Sequence, residues 1–502
     1  MPPGVRRAGC ALISMLAVLA VASPPALAAP ATASTGKAVA VQSLAGGAKR
    51  ITYRIGPFDV VPGQNSINLR PITERPQVDG YITRIRPDLT YLDGRVPRVD
   101  VIHLHHGVWL NMSRRDTTRP GLPERFFAAG EEKTQLQLPK GYGYPLKASD
   151  GLLLNDMIHN LTPSPTRLYM VWQIDFAPKG SRAARGLRAT RPVWMDVQNG
   201  GLYPVFNVRK GTGRKGRYTY PTRGAYGGGQ KKNEWVVDRP GVLVATAGHL
   251  HPGGLHTDLR VRRGGRTAPL FRSVAKYFEP AGAVSWDVSM TATRSNWRVK
   301  LRKGDVLSTS ATYDTRRASW WESMGIMVAW MADRGPGKNP FKTRVNRPGV
   351  LTHGHLAENR NHGGKPDSSL PDARTLPDGA DNPGFVNMVN FRYQLGDLRL
   401  GGTEGNPPVI HPGQALTFRD AGDDAKGIYH SITSCKAPCN RTTGIAYPIA
   451  DGDVQFESGT LGSQLPATGS LQWQTPSNLS PGTYTYFCRI HPFMRGAFRV
   501  KP

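Results

Sequence analysis

Tyr486-Phe-Cys-Arg-Ile-His-Pro-Phe-Met494, close to the end of the chain, sets Cys488, His491 and Met494 three residues apart on one tight, proline-containing loop. Upstream, Gly427-Ile-Tyr-His-Ser-Ile-Thr433 supplies a second histidine, His430. One thiolate, two imidazoles and a thioether are the donors of a blue-copper electron-transfer site, a trigonal two-histidine, one-cysteine set with a weak axial methionine. The spacing suits that chemistry, because a short loop can carry three ligands while a neighbouring strand brings the fourth. The plainer alternative is a buried structural cysteine with an unrelated histidine and methionine nearby.

Cysteine parity sharpens the choice. The chain has four cysteines, Cys10, Cys435, Cys439 and Cys488. Residues 1–28 read as a secretory signal, with Arg6 and Arg7 as a basic start and Ala26-Leu-Ala28 as a cleavage site. The apolar run between them, residues 11–22, is too short and wrongly flanked for a membrane span. Cleavage removes Cys10. In an oxidising exterior Cys435 and Cys439 can pair, which leaves Cys488 as the odd thiol. A lone thiol outside the cell reacts unless something occupies it, and copper would. The expected location is therefore secreted, periplasmic or cell-envelope, reached by either the general or the twin-arginine route.

A mature chain of roughly 470 residues suggests two to four domains, each burying its own core. Amphipathic helical stretches are scarce. Short apolar-alternating segments recur instead at 99–110, 168–176, 241–250, 325–331, 415–418 and 482–487. With 57 glycines and 42 prolines between such segments, the pattern predicts an all-β chain. No segment after the signal is long and apolar enough to predict a membrane-spanning helix.

The net charge of +29 invites a nucleic-acid reading. Its basic residues are spread along the chain, at 209–217, 260–266 and 298–303, with no recognition motif around them, so nucleic acid is not an expected partner. Anionic cell-envelope polymers, lipid headgroups or an acidic redox partner fit better, beside a compositional bias towards arginine.

Residues 29–50 read as a disordered leader, 51–345 as a long cysteine-free β-rich block, 346–383 as a linker or strap, and 384–502 as one small β-sandwich. The long block carries three features that look like metal sites. In Val101-Ile-His-Leu-His-His-Gly-Val-Trp109, strand alternation puts His103 and His105 on one face and His106 on the other. Three imidazoles in an apolar strand are costly to bury without partners. In Ala247-Gly-His-Leu-His-Pro-Gly-Gly-Leu-His256, His249 and His251 share a strand face and can hold one ion together. The third feature is Trp320-Trp-Glu-Ser-Met-Gly-Ile-Met-Val328, with Met324 at its mouth. Core histidines and a core methionine are the alternative for each taken alone.

Taken in order, His105-His106, His249-Leu-His251 and Met324 resemble the copper motifs of the peptidylglycine and dopamine β-monooxygenase family. Residues 384–502 resemble a cupredoxin, and the Cys-x2-His-x2-Met loop is similar to that of amicyanin. The first resemblance implies two consecutive β-sandwiches, 51–195 and 196–345, ahead of a Greek-key cupredoxin sandwich. It implies an oxygen-activating copper at His249, His251 and Met324, and a separate copper at His105 and His106. The family's third histidine for that second copper is replaced by Asp175 in Gln173-Ile-Asp-Phe176, so His103 or His159 would have to substitute. The arginine and tyrosine by which the peptide-amidating enzymes grip substrate are Ala247 and Val328 here, which argues against peptide amidation.

Cys488 has no flanking histidine, unlike the multicopper oxidases, so the direct peptide wire to a neighbouring centre is absent. By likeness to blue-copper proteins, the expected electron port is an exposed edge of His491, rimmed by Pro492 and Phe493. A further cluster in the strap, His353, His355 and His362, could complete a copper site, or be a solvated loop. His256 and His411 stay unassigned.

Two readings follow. One is an exported copper oxidoreductase using O2 and a redox partner protein or small reductant, with one blue copper and one or two further coppers. The other is a non-catalytic copper carrier or storage protein.

Overall fold

The computed structural model describes residues 38–201, 203–362, 364–442, 448–463 and 469–502. The signal-like segment and Cys10 lie outside the described residues. The chain is all-β. Its strands follow the period-two apolar pattern: along Thr166–Pro178, Leu168, Met170, Trp172 and Ile174 are buried, while the residues between them are part-exposed.

The first sandwich packs two antiparallel sheets. One orders Ile67–Ile72, Leu152–Asn160, Ile102–Arg115 and Pro123–Gly130. The other is built on Thr166–Pro178, flanked by Lys49–Val60 and Gly80–Tyr91. Trp109, Phe126, Leu154, Met170 and Trp172 fill the layer between them. Residues 40–43, expected to belong to a disordered leader, form a strand on the edge of Lys49–Val60. Backbone pairing to a long neighbouring strand orders them, although all four side chains are exposed.

In the second sandwich Gly241–His249 pairs with Ile326–Ala332, which pairs with Arg188–Asp196. The facing sheet centres on Gly254–Arg263 between Arg266–Tyr277 and Val306–Asp314. Arg188–Asp196 also runs parallel to Tyr142–Leu146, which ties the two sandwiches edge to edge.

The third sandwich joins a sheet of Arg392–Tyr393, Phe385–Val389, Thr417–Asp420 and Gln472–Gln474 to one of Val409–Ile410, Arg495–Val500, Gly482–Phe487, His430–Cys435 and Glu457–Leu461. A shared apolar cluster, including Val99, Trp286, Trp320, Val454 and Phe487, draws on all three sandwiches. Burial of that surface docks the third sandwich onto the other two.

The segment 346–383 is a strap. Val350–Leu351 pairs with Val288–Ala292, and Asn359 is fully buried. The Asn359 side chain accepts from Val99 N at 3.1 Å and donates to Asp287 at 3.3 Å, bridging the first two sandwiches.

Candidate metal centres

Gly482–Phe487 and Arg495–Val500 form a hairpin in which Phe487 faces Arg495, so residues 488–494 must turn within a single loop. Met494 N donates to His491 O at 2.8 Å and closes it. The neighbouring strand His430–Cys435 pairs with Gly482–Phe487 and begins at His430, which brings that imidazole over the loop. His430, Cys488 and His491 present donor atoms within 4.8 Å of one another. His491 Nδ1 lies 3.7 Å from Cys488 Sγ and 3.2 Å from His430 Nδ1. All three residues are fully buried, and Met494 lies in the same core cluster as Cys488.

Ser431 N and His491 N donate to Cys488 Sγ at 3.3 and 3.4 Å, the hydrogen bonds a thiolate accepts. Burial alone would push the thiol up, but the pull of His491 and the hydrogen bonds from His430 and His491 hold it well below the usual thiol range. Burial likewise opposes charge on His430, yet Asp423 and Cys488 raise it to about 9. Asp423 Oδ2 lies 3.1 Å from His430 Nε2 and turns Nδ1 towards the sulfur. Asp423→Ala is expected to weaken copper binding at Cys488 by about 10–100-fold. A cupric titration followed by visible absorbance measures this, and an unchanged midpoint would mean that packing alone orients His430.

Cys435 and Cys439 form a disulfide, and Cys488 is free.

His491 departs from the expected exposed port. It is 0% exposed, its Nε2 lies 3.0 Å from the carbonyl oxygen of Gly63 in the first sandwich, and Phe391 packs on the ring at 4.8 Å. Pro492 is buried as well. Of the rim expected to dock a partner, Pro492 is therefore covered and Phe493 is left partly exposed.

Gly63 is at φ +61, and a Cβ there would meet Phe391 at 2.5 Å and the His491 ring at 2.7 Å. Gly63→Ala should destabilise the chain by at least about 1–2 kcal/mol from the left-handed backbone alone. Chemical denaturation checks this, and a variant as stable as the parent would show that Gly63 and His491 are not packed together.

The second concentration of donors lies beside the first. His103 sits opposite His159 across the strand pair, and a register shift between Leu104 and His106 falls at His105. A bulge re-aims side chains. His103, His105 and His159 form one convergent group, and His105, Glu131 and His251 another, with His105 common to both. The His105 ring centroid lies 4.3 Å from those of both His159 and His251. Glu131 is buried, and neither carboxylate oxygen has a hydrogen-bond partner among the described residues.

His106 turns to the other side, where its Nε2 meets Asn155 Oδ1 at 3.0 Å. With His249 and Met324 it lines an apolar cavity of about 310 Å³. His105 converges with His251, and His106 lines the cavity with His249 and Met324, while the His249 and His251 ring centroids lie 5.1 Å apart. Each member of the adjacent pair goes with a different member of the His-x-His pair.

Six buried imidazole nitrogens in this region have no hydrogen-bond partner among the described residues: Nε2 of His103, His159, His249 and His251, and Nδ1 of His105 and His106. The opposite nitrogen is pinned in several cases, His103 Nδ1 to Val99 O at 2.7 Å and His249 Nδ1 to Glu132 Oε2 at 2.9 Å. Burial lowers His103 and His106 to about 4, and His105, His159 and His251 well below the usual range. Neutral imidazoles with free lone pairs pointing at one another are costly unless a cation joins them. The donor set fits a transition metal bound through nitrogen.

The two centres are linked. His105 Nε2 lies 3.0 Å from Tyr203 Oη, which donates to Glu322 Oε2 at 2.9 Å. Tyr429, next to His430, reaches the same oxygen at 3.4 Å. Burial raises Glu322 to about 7, and its backbone is left-handed at φ +57. Glu131, Glu132, Tyr203 and Glu322 were missed in the sequence. The one signal was an acidic pair directly after the apolar run Phe126-Phe-Ala-Ala-Gly130.

Asp175, which stands where the family has a histidine, is neutralised by Arg50 at 2.7 Å and takes no part. His353 Nε2 contacts the backbone carbonyl of Glu132, whereas His355 and His362 face carboxylates of the second sandwich. His256 pairs with Asp258, and His411 with Asp381.

No family model matches the chain, and no curated protein matches it. Among solved structures it is similar to a purple cupredoxin from Nitrosopumilus maritimus, at 19% identity over 18% of this chain and 75% of that one, with a TM-score of 0.13. It is similar to the oxidised state of an amicyanin mutant, at 19% identity over 26% of this chain and 89% of that one, TM-score 0.15. It is also similar to reduced rusticyanin, at 18% identity over 24% of this chain and 86% of that one, TM-score 0.15. With scores this low, the metal chemistry rests on the donor geometry alone.

Proposed function

We propose that this chain is a copper redox protein in which a blue-copper site at His430, Cys488, His491 and Met494 exchanges electrons internally with a histidine-rich copper centre around His105. Copper at these ligands supplies one-electron redox chemistry and, where a coordination position is left open, activation of O2. The observation that carries the reading is the burial of His491 against Gly63, which turns the loop imidazole inward. One cleft is lined both by His105, His159 and His251 and by Tyr429, Ser431, Arg489 and Ile490, the immediate neighbours of the blue-copper ligands, so the two ligand groups adjoin.

Each residue has a part. His430 and His491 hold the Cys488 sulfur as a thiolate, and Asp423 orients His430. Tyr203, Glu322 and Tyr429 tie the histidine group to the blue-copper strand. The apolar cavity beside His106, His249 and Met324 offers room for an organic molecule with a C–H bond to hydroxylate. Its size is about twice that of a cavity that accepts benzene. The disulfide supports work in an oxidising compartment, and the strongly basic surface favours acidic redox partners or anionic envelope polymers.

The test is metal stoichiometry combined with transient reduction. Copper-loaded protein should hold at least two coppers. After a pulse of reductant, the blue band should bleach and recover at a rate independent of protein concentration. One copper per chain, or recovery that scales with concentration, favours the carrier reading instead.

A further inference from the structure

The outer face of the four-stranded sheet in the first sandwich is apolar where a solvent-facing sheet surface is ordinarily polar. Along Ile102–Arg115, Trp109 and Asn111 point into the sandwich, and Val108, Leu110 and Met112 point away from it. Across the strands, Val108 faces Ala128 and Asn155, Leu110 faces Leu153, and Asn155 faces Leu69. Trp194, Met324 and Ile326 of the second sandwich roof the inner end of this row and enclose the cavity of about 310 Å³. At its outer end Leu69 and Met112 are 54% and 52% exposed. Large apolar side chains gathered at one opening mark a binding surface.

The polar groups of the wall are already engaged. Arg125 is ion-paired with Asp116 at 2.8 Å, bonded to Asn199 at 3.1 Å and stacked on Trp194 at 4.6 Å. Asn155 Oδ1 accepts from His106 Nε2, and Glu132 takes His249 Nδ1. What is left at the inner end is the thioether of Met324 and the lone pairs of His106 Nδ1 and His249 Nε2. Neither nitrogen has a hydrogen-bond partner among the described residues, and both histidines are more than nine-tenths buried. Lone pairs offer a carboxylate or a carbonyl no donor, and a charged guest would lose its water without gaining a partner.

We propose that this cavity binds a neutral, apolar molecule of the bulk of a fused bicyclic hydrocarbon. It enters past Leu69 and Met112 and lies with one end against His106, His249 and Met324. The size follows from the volume of about 310 Å³, roughly twice that of a cavity that takes benzene. As the substrate class for hydroxylation the proposal rests on the copper reading above; as a binding site it does not need the metal.

The experiment is equilibrium dialysis of the full, metal-free chain with naphthalene as the probe. Binding should saturate at a single molecule per chain. The anion 1-naphthoate and the cation 1-naphthylmethylammonium should each bind at least about tenfold more weakly, because the wall leaves no unpaired charge to meet them. Leu110→Trp fills the cavity from the sheet, and Ala128→Leu does so from the neighbouring strand. Each should weaken naphthalene binding at least about tenfold. Naphthalene should raise the melting temperature of the parent and leave that of L110W unchanged, and a cooperative melt of L110W shows that the variant folds. Absence of naphthalene binding, a charged analogue that binds as tightly, or unchanged binding by both variants overturns the proposal. Naphthalene binding by a chain that takes up one copper only would keep this site and sink hydroxylation there instead.

Discussion

Replacing Cys488 by serine is expected to abolish the intense visible colour of the copper-loaded protein while leaving copper at the histidine group. The colour needs a thiolate donor, and Cys488 is the free cysteine among the described residues. Serine is nearly isosteric, and its hydroxyl can still accept from Ser431 N and His491 N, so the loop should keep its shape. It cannot take the negative charge that His430 and His491 stabilise on sulfur. The loss should therefore appear as missing absorbance and one missing copper per chain, with unfolding by denaturant little changed in the metal-free protein. A C488S protein that still turns blue would overturn the assignment of this loop. Loss of every copper together would instead mean that the two centres load as a single unit.

Much of the architecture was legible because it depends on local pattern. Period-two alternation along 168–176 and 241–250 announced strands, and strands occupy those positions. The blue-copper loop was legible because three of its donors lie within seven residues and a hairpin leaves them nowhere else to go. What could not be read depends on register and docking. The bulge at His105 changes which imidazoles converge, and no residue type in 101–109 demands a bulge. Glu131 joins His105 and His251 only because a turn after Pro123–Gly130 meets the end of a strand from the second sandwich. The inward-facing His491 requires Gly63, 428 residues away, to arrive with a bare backbone. The strap was read by its histidines alone. Its carboxylate partners lie in a different sandwich, beyond the reach of any spacing argument.

The substitution that tests the histidine group hardest is His105→Ala, because His105 alone belongs to both convergent sets. Removing it leaves His103 with His159 and Glu131 with His251, two donors on each side. The expected result is loss of all copper except that at Cys488, with the visible colour retained. The variant should still fold, since Tyr203 Oη keeps its hydrogen bond to Glu322 at 2.9 Å and needs no replacement partner. Deleting an imidazole whose Nδ1 is buried and unsatisfied also removes a desolvation cost of about 1–3 kcal/mol in the metal-free state. Apo H105A should therefore be no less stable than the apo parent, while the copper-induced gain in stability shrinks. His106→Ala separates this arrangement from the one implied by the adjacent histidine pair. His106 faces the cavity and bonds Asn155, so its loss should spare the copper proposed at His105. If elemental analysis finds that H105A and H106A lose the same copper, the pair acts as one site and the partition across the strand is wrong.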